Sequence, residues 1–305
     1  MMPEPMYLPY NNRRPDTQYK DALRTIRDHG EQTRSRFQTH GTRTSLVIPA
    51  MYYCFANGFP IMTERKIGFW RRPINELFAF INGVRDARVL AEEWGVKWWV
   101  EKWATPEKCA HFGLEAYDLG PGSYGAAFHD FPTASGETFN QFDHLMKQLK
   151  NYPEIRTHKI SSWIPQYCLQ HDELQRKVVV APCHGDIQIT VINGKLSLRM
   201  DQRSADFPIG VPSNTIQYAA LTLAIAHLSG NEPHLFIHAT HDSQIYEGHM
   251  DDVEVLLARK TGPFPTMHIT EEGKGLTRLF DFRERHFELR DYNPEPAMTL
   301  ADAVV

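Results

Sequence analysis

The sequence is poor in cysteine: its 305 residues contain only Cys54, Cys109, Cys168 and Cys183. These four lie far apart, and neither a Cys-x-x-Cys pair nor the Cys/His spacing of a zinc site connects them. A disulfide-stapled scaffold and a structural metal are therefore not expected. We expect a cytoplasmic, reduced protein, in which a thiol persists as a nucleophile.

Long apolar runs and an excess of basic charge are also missing. No stretch reaches the roughly 18 apolar residues that a membrane helix requires, and the polar, proline-rich start MMPEPMYLPYNNRRPD lacks the apolar core of a signal peptide. Lys and Arg number 33 against 37 Asp and Glu, a net charge of −4. Neither a membrane nor a nucleic-acid substrate is expected, so that locally placed arginines have to hold any anionic ligand.

Hydrophobic periodicity and stop signals divide the chain into elements. Helices are predicted at residues 17–30, 73–83, 138–150, 213–230 and 244–258. Strands are predicted as a pair within 44–63, at 155–163 and 175–184, as a hairpin around Asn193-Gly194, and near 235–240 and 265–270. Because strands arrive in runs rather than alternating with helices, we predict an α+β fold. One domain over residues 18–305 is expected behind a flexible arm at 1–17.

The most informative segment is residues 181–221. A Pro-Cys-His step occupies 182–184, Arg-Ser-x-Asp begins at Arg203, and Gly-x-Pro-x-Asn opens a helix and ends at Asn214. Taken alone, each piece has an ordinary structural explanation. Most lone cysteines are buried packing residues, an asparagine at a helix start can cap the helix, and Arg203 and Asp206 could form a local ion pair. Their joint order indicates a common site.

This segment resembles the signature of the thymidylate synthase family, in which Pro-Cys-His is followed by Gln-Arg-Ser-x-Asp and Gly-x-Pro-x-Asn. The likeness continues in order over roughly residues 40–305, through GFPIMTERK, INELFAFI, VKWWVEKWA, DLGPGSYG with one residue inserted, FIHATHDSQIYEGHMDDV and the tail FELRDYNPEPAM…AVV. The resemblance implies a thymidylate synthase-like domain with a mixed sheet flanked by helices. It also implies a homodimer that acts on a pyrimidine nucleoside monophosphate, with 5,10-methylenetetrahydrofolate as co-substrate and no metal.

Cys183 matches the nucleophile of that family. C5 of uracil is too weak a nucleophile to attack a folate-derived iminium, and addition of a thiolate at C6 activates C5 as part of an enolate. We expect Arg203 to lower the pKa of the thiol and, with Ser204, to hold the phosphate. The charge that develops on O4 needs donors, and the resemblance assigns that role to His184, Glu76 and water.

The resemblance assigns the remaining site residues by position. Beside the base it places Tyr124, near the C5 proton, and Asn214, which pairs with O4 and N3. For the phosphate and sugar it supplies Arg156, which reaches in from the partner subunit, Gln244 and Tyr246. For the folate it supplies Asp206, which contacts the pterin, and Trp99, Ser213 and Ile209.

Several positions depart from the family pattern. The phosphate loop lacks its arginine, which Arg36 or Arg43 would have to replace, and one arginine of an adjacent pair is Thr157. Gln244 stands in place of a sugar-binding histidine, and Ser213 in place of an aromatic residue that packs on the folate. Because a more polar folate wall admits water, we expect hydroxymethylation at C5, with reductive methylation of dUMP to dTMP as the alternative.

Two other classes stay open. A non-catalytic family member that binds a nucleotide or RNA would keep the fold, although it has no use for an intact nucleophile at Cys183. An unrelated Cys-His hydrolase is disfavoured because adjacent strand residues point to opposite faces. The sequence does not decide whether the base is uracil or cytosine, because an amide such as Asn214 can present either its donor or its acceptor. It also does not decide whether the sugar is ribose or deoxyribose.

Overall fold

The computed structural model describes residues 5–35 and 40–300 of the chain. Their strands are β1 (Glu31–Thr33), β2 (Thr42–Ser45), β3 (Met51–Cys54), β4 (Phe131–Pro132), β5 (Thr138–Phe139), β6 (Lys159–Ile160), β7 (Asp186–Ile192), β8 (Lys195–Asp206), β9 (Glu232–Tyr246), β10 (Thr266–Ile269) and β11 (Phe287–Arg290). Their α-helices are α1 (Gln18–His29), α2 (Arg71–Ile81), α3 (Ala87–Glu92), α4 (Pro106–His111), α5 (Tyr124–His129), α6 (Gln141–Asn151), α7 (Pro165–Cys168), α8 (Gly210–Ser229), α9 (Met250–Ala258) and α10 (Glu271–Lys274).

A seven-stranded mixed sheet runs through the described residues in the order β1-β2-β9-β8-β7-β6, with β3 also paired to β9. The long strand β9 is antiparallel to β2 and β3 and parallel to β8. Parallel neighbours need a crossover connection, which α8 supplies between β8 and β9. α8 packs on both strands, and α2 and α6 pack against α8. The predicted α+β fold with a mixed sheet flanked by helices is confirmed.

The β7–β8 hairpin was the strongest local prediction, and it is confirmed. Asn193 and Gly194 form its two-residue turn, with φ values of 51° and 74°. A type I′ turn requires positive φ at both positions, and asparagine and glycine adopt that conformation at low cost. The hairpin pairs Ile192 with Lys195 and continues to Asp186 opposite Asp201, which sets the register of the strands that carry the site.

Helix α8 is buried on all sides because it lies between the sheet and other helices. Every residue from Asn214 to His227 is buried, as expected for a helix without a polar face. It ends where Gly230 adopts φ 71°, the left-handed conformation of a helix C-terminal stop. The prediction of this helix is confirmed, with a start three residues before the predicted Ser213. Within the described residues, no helix has the length and apolar character needed to cross a membrane.

Four strand or helix predictions were wholly or partly wrong because tertiary contacts overrode local pattern. The two halves of 44–63 do not pair with each other: β2 and β3 both pair with β9, and Asn57-Gly58 ends a 3₁₀ turn. In 155–163 only β6 is a strand, and 175–184 is irregular because its backbone bonds to loops, as Val179 N does to Leu119 O. The helix predicted from 244 begins at Met250, since 244–246 still pairs with β2.

Residues 5–17, the described part of the predicted arm, lie against the body of the protein. The Arg13 guanidinium donates to Phe264 O at 2.9 Å, to Thr266 Oγ1 at 2.7 Å and to Leu8 O at 2.9 Å. Its charge lies 5.2 Å from the ring centroid of Tyr7. Because Phe264 lies just before β10 and Thr266 begins it, the arm is hydrogen-bonded to the C-terminal part of the chain.

Candidate active site

Cys183 lies just before β7, where the chain runs beside the end of β8. Its carbonyl accepts from Arg203 N at 2.7 Å, and its N–H donates to Tyr124 Oη at 2.7 Å. Arg203 Nη2 lies 3.5 Å from Cys183 Sγ and also donates to Ala181 O at 3.4 Å. The thiol is thus placed beside a guanidinium by the register of two neighbouring segments.

Burial raises the pKa of the Cys183 thiol, while the charge of Arg203 lowers it, the carboxylate of Asp242 raises it further and Arg176 lowers it. Arg203 therefore acts in the predicted direction, but desolvation outweighs it. A thiol in this environment rests in its protonated form at neutral pH, so that forming the nucleophile requires transfer of the proton to another group.

His184 is a neutral, rigidly packed imidazole. Its ring stacks on Tyr124 at 4.5 Å between centroids, and its Nδ1 lies 2.7 Å from Tyr218 Oη. Burial lowers its pKa to about 3, so that it serves as a hydrogen-bonding group and not as an imidazolium. The next residue, Gly185, has φ 101°, and a Cβ there would lie 2.9 Å from Phe128. The turn that presents Cys183 and His184 therefore requires glycine.

Glu76 is a buried carboxylate on α2. Its Oε1 accepts from Trp98 Nε1 at 2.6 Å and Trp99 Nε1 at 2.5 Å, and its Oε2 accepts from Gln217 Nε2 at 2.7 Å. Burial raises its pKa, and the three N–H donors oppose that shift. A carboxylate buried in an apolar helix needs hydrogen-bond partners, and the π-helical turn Trp99–Trp103 supplies one of them, Trp99.

Asn214 is joined to Glu76 by an amide that the sequence analysis missed. Asn214 Nδ2 donates to Gln217 Oε1 at 2.8 Å, and Asn214 Oδ1 accepts from Gln202 Nε2 at 3.1 Å. Gln202 Oε1 in turn lies 2.7 Å from His238 Nε2. Gln217 follows Asn214 by three residues in α8, and this spacing puts both side chains on one face of the helix. The same spacing in the sequence could have identified Gln217 as a neighbour of Asn214.

The sugar side of the site is built from matching positions of β8 and β9. Their register places Ser204 beside Asp242 and Asp206 beside Gln244. Gln244 Nε2 donates to Ser204 Oγ at 2.8 Å, and that hydroxyl donates to Asp242 at 3.4 Å. Tyr246 ends β9 as a buried ring next to His249. The structure thus brings the predicted phosphate and sugar residues Ser204 and Gln244 together, with Arg203 on the same strand as Ser204.

Three of the residues predicted to contact the folate, Asp206, Ile209 and Ser213, lie at the entry to α8. Ser213 Oγ donates to Ile209 O at 3.4 Å, and Asp206 Oδ1 is buried without a hydrogen-bond partner among the described residues. Burial raises the pKa of Asp206 to about 6, with the charge of His249 opposing the shift. Trp99 is only 4% exposed, so most of its surface packs within the protein.

Two predicted arginines outside β8, Arg156 and Arg43, make their hydrogen bonds away from this cluster. Arg156 is exposed before β6, and the structure gives its carbonyl a bond from Gln188 Nε2 at 3.2 Å. Arg43 Nη1 donates to Arg27 O at 3.3 Å, and Arg36 lies outside the described residues. The sequence analysis missed Arg176, which stacks on Phe112 at 4.5 Å and acts electrostatically on Cys183 and Arg203.

A family model described as thymidylate synthase matches residues 17–304, nearly the whole chain. The chain belongs to the thymidylate synthase family. The resemblance drawn from its motifs is therefore confirmed. Membership supports a folate-dependent transferase that moves a one-carbon unit to a pyrimidine nucleotide, with methylenetetrahydrofolate as co-substrate.

The folate side of this thymidylate synthase-family site fits such a co-substrate. Asp206 Oδ1 is a buried acceptor that has no donor within residues 5–35 and 40–300, and a ligand presenting N–H groups, as a pterin does, would satisfy it. Asp206 and the half-buried Ser213 would hold that ligand at the start of α8. In the part of the chain that the structure describes, no group of three His, Cys, Asp or Glu side chains is placed to hold a metal ion.

The raised pKa of Asp206 gives a pH-dependent stability that can be measured. A carboxyl with an unfolded pKa near 3.8 and a folded pKa of about 6 binds its proton more tightly in the folded state. The free energy of unfolding should therefore fall as pH rises from about 4 to about 6. Asp206→Asn should remove this fall in urea denaturation. Asp201→Asn, an exposed carboxylate on the same strand, is the control; equal profiles for Asp206→Asn and the parent would contradict the assignment.

Proposed function

We propose that this protein transfers a one-carbon unit from 5,10-methylenetetrahydrofolate to C5 of a dUMP-like nucleotide and leaves a 5-hydroxymethyl group. The reaction is carried by the domain of residues 18–305. The observation that carries the proposal is the Cys183 thiol held 3.5 Å from Arg203 Nη2 and next to Tyr124 and His184. A protein that only bound a nucleotide or RNA would have no use for this arrangement.

The side chains have distinct tasks in the proposed reaction. Cys183 Sγ adds to C6 of the ring, the C5–C6 double bond opens, and negative charge moves toward O4. Arg203 stabilises the thiolate and, with Ser204, binds the phosphate. Glu76 and the neutral His184 lie on the O4 side, where hydrogen bonds stabilise the developing charge. Tyr124 lies where the C5 proton departs, and elimination of Sγ from C6 restores the double bond.

The product depends on what reaches the carbon at C5 after transfer. The folate supplies the one-carbon unit and, in the methylating alternative, also the hydride. Ser213 presents a half-buried hydroxyl at the folate side, with its Oγ 3.4 Å from Ile209 O. This polar wall favours entry of water and thus hydroxymethylation. Trp99 favours the methylating alternative, because its indole is buried and held by Glu76 at 2.5 Å, which leaves little room for water beside it.

Product analysis separates these outcomes. We expect mass spectrometry to find a 5-hydroxymethyl nucleotide after incubation with methylenetetrahydrofolate and dUMP, without the near-ultraviolet absorbance rise of dihydrofolate. Ser213→Phe should divert part of the flux to the methyl product, while Ser229→Ala, at the other end of α8, should not. A stoichiometric dihydrofolate signal in the parent would identify the methylating reaction instead. Absence of tritium release from a 5-tritiated nucleotide would favour the non-catalytic alternative.

A homodimer completes the proposal, because one face of the sheet carries exposed side chains in the described part of the chain. The register of β8 puts Leu198 and Met200 on the face under α8, and Arg199 on the other. Ile237 of β9 pairs with Arg199 of β8 on one side and with Tyr52 of β3 on the other. The Tyr52 side chain is 55% exposed. We infer that a second copy of the chain packs on this open face and brings its Arg156 to the phosphate.

Subunit mixing tests the position of Arg156. Arg156→Ala and Cys183→Ser homodimers should each lose most activity. A mixture should regain activity, because each heterodimer has one site with both an intact thiol and an intact partner arginine. Lys159→Ala, a basic side chain exposed three residues later, is the matched control and should retain activity alone. Heterodimers that form but stay inactive would contradict the cross-subunit role.

A further inference from the structure

A continuous line of buried amides connects Glu76 to His238. It passes through Gln217, Asn214 and Gln202, with donor–acceptor distances of 2.7, 2.8, 3.1 and 2.7 Å. Gln217 is completely buried and Gln202 is 3% exposed. We call these five residues the amide relay. Each of its three amides has one end toward Glu76 and the other toward His238, so the relay has a direction.

Glu76 sets that direction. Its Oε1 accepts from two indole N–H groups and its Oε2 faces the Gln217 amide, and a carboxylate surrounded by N–H donors accepts at both oxygens. Gln217 must therefore turn Nε2 toward Glu76, which leaves its Oε1 facing Asn214. Asn214 then has to turn Nδ2 toward Gln217, since two facing amide oxygens would repel each other.

The far end of the relay agrees with this direction. Asn214 Oδ1 faces Gln202 Nε2, and Gln202 Oε1 faces Nε2 of His238. Burial lowers the pKa of His238 to about 3, so that the ring is neutral and carries one N–H. That N–H donates to Gln202 from Nε2, and Nδ1 is left to accept from Thr215 Oγ1 at 3.1 Å. No link of the relay has two donors or two acceptors facing each other.

We propose that Gln217 is a specificity-determining positioning residue, which locks the Asn214 amide in the orientation that reads uracil and rejects cytosine. This inference rests on the proposed function, in which the C4 side of the base faces Glu76. Asn214 Nδ2 lies on the Glu76 side and its Oδ1 on the Gln202 side. Its remaining N–H then donates to O4 of uracil, and its oxygen accepts from N3–H. Cytosine presents an amino group and a bare N3 at these places, so both contacts become repulsive.

Reversing the relay should reverse the preference. In Glu76→Gln, the two indole donors hold the new amide oxygen, and its nitrogen faces Gln217. Gln217 and then Asn214 must turn over, which presents the Asn214 oxygen to the C4 substituent. In Gln217→Met, a side chain of similar size removes both links, and Asn214 is free to adopt either orientation.

Equilibrium binding of dUMP and dCMP tests the relay without relying on turnover. The full-length dimer carrying Cys183→Ser serves as the parent, so that no covalent adduct forms, and Kd is measured by isothermal titration calorimetry. The parent should prefer dUMP by at least about tenfold. Adding Gln217→Met should lower that preference by about tenfold or more, and adding Glu76→Gln should shift it toward dCMP. Thr222→Val, which removes a different buried hydrogen bond of α8, should leave the ratio unchanged.

Each outcome decides the inference. A parent that prefers dCMP, ratios unchanged in both relay variants, or a shift in Thr222→Val equal to that in Gln217→Met would overturn it. If Gln217→Met does not fold, the isosteric Glu76→Gln decides alone. Binding with the expected ratios but no turnover by the wild type would contradict only the proposed function. Binding of neither nucleotide would overturn both.

Discussion

Cys183→Ser is expected to lower kcat by at least about 10⁴-fold while the Kd for the nucleotide changes by less than about tenfold. The hydroxyl of serine is a far weaker nucleophile toward C6 than a thiolate. The backbone contacts of residue 183 with Tyr124 and Arg203 do not involve the side chain and should persist. The loss should therefore appear in the chemical step and not in docking.

Single-turnover kinetics with a 5-tritiated nucleotide, together with mass spectrometry of the denatured complex, would measure this effect. The parent should show an adduct at Cys183 and the variant should show none. Cys54→Ser is the matched control, because Cys54 is a half-buried thiol at the end of β3 and lies outside the site residues. Tritium release by Cys183→Ser at more than a hundredth of the parental rate would exclude the proposed covalent mechanism.

Glu76→Gln is expected to lower kcat by about 10²–10⁴-fold, the usual contribution of a positioned acid or base. Burial raises the pKa of Glu76, and a carboxyl can exchange a proton during the reaction, which an amide cannot do. The substitution also puts an amide nitrogen where the parent has a carboxylate oxygen facing Gln217. Because the new side chain is isosteric and the Gln217 amide can turn over to face it, the fold should persist. The effect of the substitution should therefore be larger on kcat than on thermal stability.

Stopped-flow kinetics over a range of pH and a parallel thermal melt would separate the two effects. The parental rate should depend on a group titrating above the ordinary range of a glutamate, and the variant should lack that dependence. Glu101→Gln, exposed on the neighbouring π-helical turn, is the control and should behave like the parent. A variant whose kcat stays within threefold of the parental value would show that Glu76 only holds Trp98, Trp99 and Gln217 in place.

Some elements could be predicted because their determinants are local. The Asn193-Gly194 turn needs only two residues that accept positive φ, and α8 needs only an apolar run that ends at a glycine. The segment 175–184 misled the prediction because Val178 and Val179 are buried as strand residues often are, yet the chain bends there and Val179 N donates to Leu119 O in a loop. Burial and pairing are separate properties, and only burial has a signature in the sequence.

Some features of the candidate site could likewise be predicted from the sequence, and others depend on the folded structure. Cys183, Arg203, Ser204, Asp206 and Asn214 fall within one segment, and the family match makes their common location predictable. The net pKa of the thiol was not predictable, because it depends on how much protein covers it as well as on Arg203. The roles of Arg176 and Asp242 were missed for a related reason, since their charges act on the thiol through space from other elements.

The sequence by itself determined the family and the α+β class, and it predicts the nucleophile and the order of the site residues along the chain. These depend on residue types at fixed spacing, which a chain carries whether or not it is folded. Only the tertiary structure decided which way the Asn214 amide points, because an isolated asparagine has two equivalent orientations and its neighbours choose between them. Those neighbours, Gln217, Gln202 and Glu76, come from α8, β8 and α2. They meet only when α8 packs between the sheet and α2, so the direction of the relay is a property of the packed core.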